Sequence, residues 1–205
     1  MQNGFCNPLG FLGQIGVDIS PCNAVIGKIK EIAQFAHQHE IPVIYTKQEH
    51  LPEDSVYVRN RLLLSALPNS HAYSRAVGKL PCVKGTWDAE IVDELRLEPV
   101  DYLVRKHRFN AFYNTDLEII LRTLNVQIVI VVGVTTNVCV DSTVREAYFR
   151  DYEVLVIKDA VAAPGEQLNL HQATLETLSR YFAWTISSSE LFELIQSVRQ
   201  ERRIA

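Results

Sequence analysis

The chain contains no apolar run near the ~20 residues that a helical membrane span requires, so no such span is expected. It also lacks an excess of positive charge. Twenty Lys and Arg stand against 24 Asp and Glu, a net charge of −4, which argues against a nucleic-acid partner. Its four cysteines, Cys6, Cys22, Cys82 and Cys139, include no CxxC pair. That scatter suits reduced thiols in a reducing compartment better than a disulfide framework. No cationic-then-apolar segment opens the chain, and a cytoplasmic protein is the expectation. Gly10, Gly13 and Gly16 are spaced three apart but do not join a strand to a helix, so they make no dinucleotide fingerprint. There is no phosphate-binding loop. His37 and His39 lie two apart on a predicted helix and face different ways. No set of residues has credible metal-ligand spacing, so neither a metal nor a cofactor is expected. Repeats, linkers and low-complexity segments are absent.

What remains is an ordinary globular composition. The 205 residues are 47% hydrophobic and 21% charged, enough for one domain, residues 1–205, with a sizeable core. Residues 1–24 read as loop. Val25–His39 has helical spacing, Ile41–Thr46 a short buried-strand pattern, and Lys47–Thr86 a long irregular stretch with a short helix near Val56–Leu67. The pattern then predicts a helix over Ala89–Leu95, a strand over Tyr102–Val104 and a helix over Asp116–Leu124 capped by Thr115. Ile128–Val134 is a strand, Val138–Arg150 a helix, Glu153–Ile157 a strand, Glu166–Tyr181 a helix and Phe182–Ile186 a strand. Ser187–Arg202, with Ser189 as cap, is the last helix. Strands alternating with helices imply an α/β fold: a doubly wound, Rossmann-like, mostly parallel sheet with helices on both faces. Such a sheet normally begins with a strand, yet this chain opens in a loop, so the first central strand is expected to be missing.

The most informative run is Val131-Val-Gly-Val-Thr-Thr-Asn-Val-Cys-Val140. Five β-branched residues, Ile128–Val132, lead through Gly133 into a polar turn and then a helix. A thiol just past the carboxyl end of a buried strand lies where α/β proteins place their chemistry. A helix amino end favours a thiolate. Position alone leaves a buried structural cysteine as the alternative.

Gly133-Val-Thr-Thr-Asn-Val-Cys139-Val140 resembles the nucleophile motif of the isochorismatase-like cysteine hydrolases. Arg105-Lys-His-Arg-Phe-Asn-Ala-Phe-Tyr-Asn-Thr115 resembles the segment bearing that family's catalytic lysine, and Met1-Gln-Asn-Gly-Phe-Cys6 its first loop. Val83-Lys-Gly-Thr-Trp-Asp88 and Phe112-Tyr-Asn-Thr115 look most like the ureidoacrylate and biuret hydrolase branch. The resemblance implies Cys139 as nucleophile and Lys106 as its electrostatic support. It implies oxyanion donors among the N–H groups of residues 135 to 139, Val138 included, and a non-proline cis peptide at Val134–Thr135. The substrate would be a small amide, ureido or carbamoyl compound, and the assembly a homodimer or homotetramer. Some relatives hold zinc through an Asp-x-His arrangement, where this chain has Lys47-Gln-Glu-His50. Gln48 and His50 follow a strand and reach the same sheet edge. Gln48 has both a donor and an acceptor for a carbamoyl group, although each is equally readable as a solvated loop side chain. Phe109 falls where that branch has a tyrosine; it either walls the pocket or packs in the core. For Lys106 the bland reading is a solvated charge in the run Arg105–Arg108.

The family also uses an Asp, placed at the end of the first strand, immediately before the position that Met1 occupies here. The expectation is therefore a chain that starts one residue after its general base and is inactive or weak as given. A missing central strand costs on the order of 10 kcal/mol of burial, comparable to a whole domain's stability. Asp18, Glu49 and Asp54 are the internal candidates to substitute for it, but none is placed at a strand end facing Cys139. Vinyl-ether hydrolysis of the isochorismatase type, which in the family does not use the cysteine as nucleophile, and a non-catalytic binding protein of the same fold are the rivals. The encoding DNA discriminates: an in-frame upstream segment with a short apolar run ending in Asp is expected, and a stop codon or unrelated sequence there would refute it.

Overall fold

The computed structural model describes residues 1–51 and 80–204. Within them, five parallel strands and five longer helices alternate. Strand β1 (Ile44–Gln48) pairs with β2 (Tyr102–Lys106), and β3 (Ile128–Val134) pairs with β4 (Glu153–Ala162), which pairs with β5 (Trp184–Ile186). The helices are α1 (Ile26–Gln38), α2 (Leu117–Thr123), α3 (Asp141–Tyr148), α4 (Leu168–Tyr181) and α5 (Ser188–Ile204). None of the described helices is long and apolar enough to cross a membrane.

Period-two alternation along β3 and β4 splits the core into two layers. Val129, Val131, Val154 and Val156 pack with Leu117 and Leu121 of α2, Val144 of α3 and Leu178 of α4. Ile130, Val132, Leu155 and Ile157 face the opposite side, against Ile26, Ile29 and Ile32 of α1 and Leu191 of α5. The fold is thus α/β, with parallel strands and helices on both faces. The strands form two sheets rather than one, in the orders β1-β2 and β3-β4-β5. Between them lies an apolar cavity of about 270 Å³, walled by Ile44–Thr46 of β1 and Ile128–Val132 of β3.

Several boundaries differ from the sequence pattern, each for a local reason. Residues 1–24 contain three short helical turns, Asn3–Cys6, Phe11–Gln14 and Ser20–Ala24, too brief to leave a periodic signature. Strand β1 starts at Ile44, not Ile41, because the Ile41 N–H still bonds Ala36 O behind α1 and Pro42 has no N–H for a ladder. It runs on to Gln48 because Lys47, Gln48, Glu49 and His50 are buried polar residues, which hydropathy alone reads as loop. Ala89–Leu95 is not one helix but two single turns, Trp87–Ala89 and Asp93–Leu95. Strand β2 extends to Lys106 and β4 to Ala162, while β5 starts at Trp184, two residues late. The helix expected near Val56–Leu67 lies outside the described residues.

The last helix is capped by Ser187, not Ser189. The Ser187 Oγ accepts the Glu190 N–H at 3.3 Å and Glu190 Oε2 accepts the Ser187 N–H at 2.7 Å, a reciprocal capping box. Asp159 of β4 adds a second clasp, accepting the Ser188 N–H at 2.8 Å and the Ser188 hydroxyl at 2.6 Å. Burial opposes ionisation of Asp159, but the Ser188 hydrogen bonds and the Lys28 ammonium outweigh it and hold the carboxyl below its usual range. A lowered native pKa contributes stability above the unfolded value near 3.8 and loses it as pH falls through the native value. Asp159→Ala is expected to cost about 0.5–1 kcal/mol near neutral pH, the lower part of the cap range because solvent screens the carboxylate. Denaturant midpoints should show that deficit shrinking as pH drops below about 4; a deficit independent of pH would refute the clasp.

Candidate active site

Side chains at the carboxyl ends of β1, β2 and β3 converge on one point. Gln48 and Lys106 are the last residues of β1 and β2, and their backbones sit side by side in register. Strand β3 ends at Val134. Its register against β4 slips between Val131 and Gly133, and Gly133 has φ +116°, a conformation open to glycine and rarely to other residues. The Val134–Thr135 peptide is cis. A single wide helical turn, Thr136–Val140, follows before the regular helix α3 begins at Asp141. Cys139 therefore sits in that wide turn and not one residue into a regular helix, as the pattern of Val138–Arg150 suggested. Wide turns of this type gather at functional sites.

The Lys106 ammonium is 3% exposed. It donates to Gln48 Oε1 at 2.8 Å, Arg108 O at 3.0 Å and Phe109 O at 3.1 Å, and lies 3.6 Å from Cys139 Sγ. Cys139, Val134, Thr135 and Val138 all line a cavity of about 130 Å³ whose other walls include Phe5, Phe11, Phe109 and Pro164. Cys139 also borders the larger apolar cavity between the sheets, so the sulfur stands where the two spaces meet. The Val138 N–H donates to Thr135 O at 3.2 Å; of the other residues of the turn, Thr135 and Cys139 line the cavity and are the candidate donors.

Gln48 and His50 also line the smaller cavity, but their polar groups face each other and the lysine. Gln48 Oε1 is taken by Lys106, and Gln48 Nε2 lies 3.2 Å from His50 Nε2. Gln48 therefore orients the ammonium, which the sequence did not suggest. Phe109 is 42% exposed and forms a wall. Of the internal acids, Glu49 is paired with Lys47 at 3.6 Å and Arg105 at 3.7 Å, and Asp18 accepts from Ser20. Neither borders the cavities, and Asp54 lies outside the described residues. Among the described residues no Asp or Glu lines either cavity, and no three His, Cys, Asp or Glu side chains group as metal ligands.

Two residues that sequence reasoning gave no role fix the cavity's walls. The buried Gln2 side chain behaves like a strand neighbour. Its Oε1 accepts the Gln48 N–H at 2.8 Å and its Nε2 donates to Gln48 O at 2.7 Å and Ala89 O at 2.8 Å. Asp88 accepts the Phe11 and Cys82 N–H groups, each at 2.7 Å, and so joins the first loop to the segment after residue 80. Gly10 and Gly13 serve this loop's packing: a Cβ would fall 2.0 Å from Asn3 O or 2.2 Å from Pro8 O. Asp88 stands out in sequence only as a polar residue between Trp87 and Ala89, and Gln2, followed by Asn3, gives no such signal.

Burial raises the thiols of Cys6, of Cys82 and of Cys22, the last to about 12. Cys139 is the one cysteine that is not buried. Brief treatment with iodoacetamide near pH 7.5 is expected to modify Cys139 first, with a rate about tenfold or more above the other three, because thiolate is the reactive form. Peptide mass spectrometry would read this, and preferential labelling of Cys6, Cys22 or Cys82 would refute it.

The isochorismatase domain description matches residues 1–190. The chain is 33% identical over 197 residues to the ureidoacrylate amidohydrolase RutB of Caulobacter segnis, covering 93% of this chain and 80% of that protein. It is 34% identical over 200 residues to RutB of Methylobacterium radiotolerans, covering 94% and 75%. Among solved structures, a cysteine hydrolase from Pseudomonas syringae pv. phaseolicola superposes with a TM-score of 0.81 at 26% identity, covering 96% of this chain and 89% of that one. The N-carbamoylsarcosine amidase of Thermoplasma acidophilum has the same fold, with a TM-score of 0.70 at 24% identity, covering 92% of each chain.

Proposed function

The chain belongs to the isochorismatase family, and from that premise we propose that it is a cysteine-dependent amidohydrolase acting on a small carbamoyl, ureido or amide substrate. The observation that carries this reading is the 3.6 Å approach of Lys106 Nζ to Cys139 Sγ at the mouth of a cavity. The names of the RutB relatives and of the carbamoylsarcosine amidase support the substrate class.

In this reading the Cys139 thiolate attacks the substrate carbonyl carbon. A C–S bond forms and the carbonyl π pair moves to oxygen, where N–H groups of the turn receive it. Collapse of the adduct breaks the C–N bond, and the nitrogen leaves as ammonia or an amine after taking a proton from a general acid. Water then adds to the thioester and gives up a proton to the same group, now a carboxylate, and the C–S bond breaks to release the carboxylic acid and restore the thiolate. The Lys106 ammonium stabilises the negative sulfur throughout. Gln48, Arg108 O and Phe109 O fix that ammonium, and Phe109 with Phe5 and Phe11 closes the cavity against water.

The proton carrier in this mechanism is a carboxylate. The apolar space between β1 and β3, bordered by Met1, Lys106 and Cys139, is where such a carboxylate would reach both the ammonium and the sulfur. A cytoplasmic location and assembly into dimers or tetramers complete the proposal. An exposed aromatic group, Tyr148, Phe149, Tyr181 and Trp184, supports assembly.

The test is ammonia release from ureidoacrylate, biuret, nicotinamide and N-carbamoyl amino acids, with the chain as given and with a short apolar run ending in Asp placed before Met1. The extended protein should turn over at least one of them. Cys139→Ala should abolish this turnover, while Lys106→Met and conversion of the added Asp to Asn should each reduce it by about 10²–10⁴-fold. Full turnover by Cys139→Ala would overturn the reading.

A further inference from the structure

The turn that carries Cys139 is held from outside by one helix. Thr136, fully buried, lies with its Oγ1 2.9 Å from His171 Nδ1. Its neighbour Asn137 donates through Nδ2 to Gln167 Oε1 at 2.8 Å. Gln167 and His171 are four residues apart at the start of α4, hence on one face, and they meet two consecutive side chains of the turn. Within the turn the Val138 and Val140 N–H groups donate to Thr135 O and the Asp141 N–H to Thr136 O and Val138 O, contacts that run along the chain and do not tie the turn to another element.

The helix end that supplies these contacts is itself tethered. The Gly165 N–H donates to Asp18 O at 2.9 Å and Glu166 Oε1 accepts the Asp18 N–H at 2.9 Å. A Cβ on Gly165 would fall 2.1 Å from the Asp18 carboxylate, so the two loops are in close contact. Asn137 Oδ1 stays buried without a partner. Leaving such an oxygen unpaired is costly, and such exceptions call for a functional explanation.

We infer that His171 and Gln167 are positioning residues for the oxyanion-binding turn: through Thr136 and Asn137 they set the direction in which the Thr135 and Cys139 N–H groups point, without touching the substrate. The inference rests on the reading of Cys139 as a nucleophile. Burial holds the His171 imidazole below its ordinary value, so it is neutral near pH 7 and pairs with the Thr136 hydroxyl as one donor and one acceptor.

Two probes of Cys139 separate the roles. Iodoacetamide needs an accessible thiolate and no oxyanion donors. Benzaldehyde adds reversibly: sulfur bonds to the carbonyl carbon, and the oxygen takes the electron pair and needs the donors. Its binding is read as protection of Cys139 from iodoacetamide. His171→Ala should leave the alkylation rate within about twofold and weaken benzaldehyde protection by about tenfold or more, as expected for misplaced oxyanion donors. His171→Asn places an amide atom where Nδ1 was and should restore protection to within about threefold. Gln167→Ala, at the helix end, provides the same test should His171→Ala fail to fold. Unchanged protection in these variants, equal loss of both readouts, or failure of Asn to rescue would each overturn the inference. A parent protein whose Cys139 is neither alkylated nor protected would instead overturn the nucleophile reading itself, and the two failures are distinguishable.

Discussion

A buried ammonium is the constraint around which this site is organised. Taking a charge out of water costs several kcal/mol unless it is paired and hydrogen-bonded. Lys106 meets three neutral oxygens, one from Gln48 and two from the backbone at Arg108 and Phe109, and these fill its three donors. The fourth neighbour is the Cys139 sulfur. Neutral oxygens satisfy the N–H groups but do not balance the charge, so the field of the ammonium remains directed at the sulfur. That arrangement requires β1, β2 and β3 to end at the same level: β1 and β2 are aligned by their parallel pairing, and β3, in the other sheet, leads to Cys139 beside the Lys106 ammonium.

The sequence was legible where one strong pattern carried one function. Ile128–Val134 reads as a buried strand because its β-branched run is continuous, and the strand has those bounds. The alternation of strands and helices gave the α/β class for a similar reason. It was poorly legible where buried residues are polar. Lys47, Gln48, Glu49 and His50 look like loop because a hydropathy pattern assumes that burial means apolar. Here the Lys47 ammonium is paired with Glu90 at 2.9 Å, and Gln48 is locked by Gln2 and Lys106. The consequence reached the site: Gln48, read from sequence as a loop side chain or a substrate ligand, lines the smaller cavity and also accepts a hydrogen bond from the Lys106 ammonium. The cap of α5 was misplaced by two residues because three consecutive serines offer equal propensity, and the reciprocal partner Glu190 selects Ser187.

The space between the two sheets follows from the same pairing rules. Strand β1 is paired only with β2, and β3 only with β4, so each presents one unpaired edge among the described residues. Unpaired edges with apolar surroundings are templates for strand addition. The side chains lining the space, from Ile44 to Thr46 and from Ile128 to Val132, have the composition expected beside a strand buried on both faces. Met1 borders this space as well, with its sulfur 3.8 Å from the position a Cβ on Gly133 would take. Met1 thus packs against the same core cluster as Val132 and Val134, the strand residues that lead to Cys139.

The polar groups that fix this site are mostly side-chain amides, bound to backbone or to one another. Gln2 occupies the backbone N–H and C=O of Gln48, Asp88 takes two backbone N–H groups from different loops, and the Asn137 side chain ties the turn to that of Gln167. A neutral amide placed against backbone orients a loop without adding a charge that would compete with the Lys106 field for the sulfur. Asp88 is the exception, and its carboxylate is spent on the Phe11 and Cys82 N–H groups and does not line the cavity. A site organised in this way keeps its one buried cation facing its one accessible thiol. Composition cannot reveal it, because glutamine and asparagine at these positions look the same in sequence whether they face water or hold a catalytic turn.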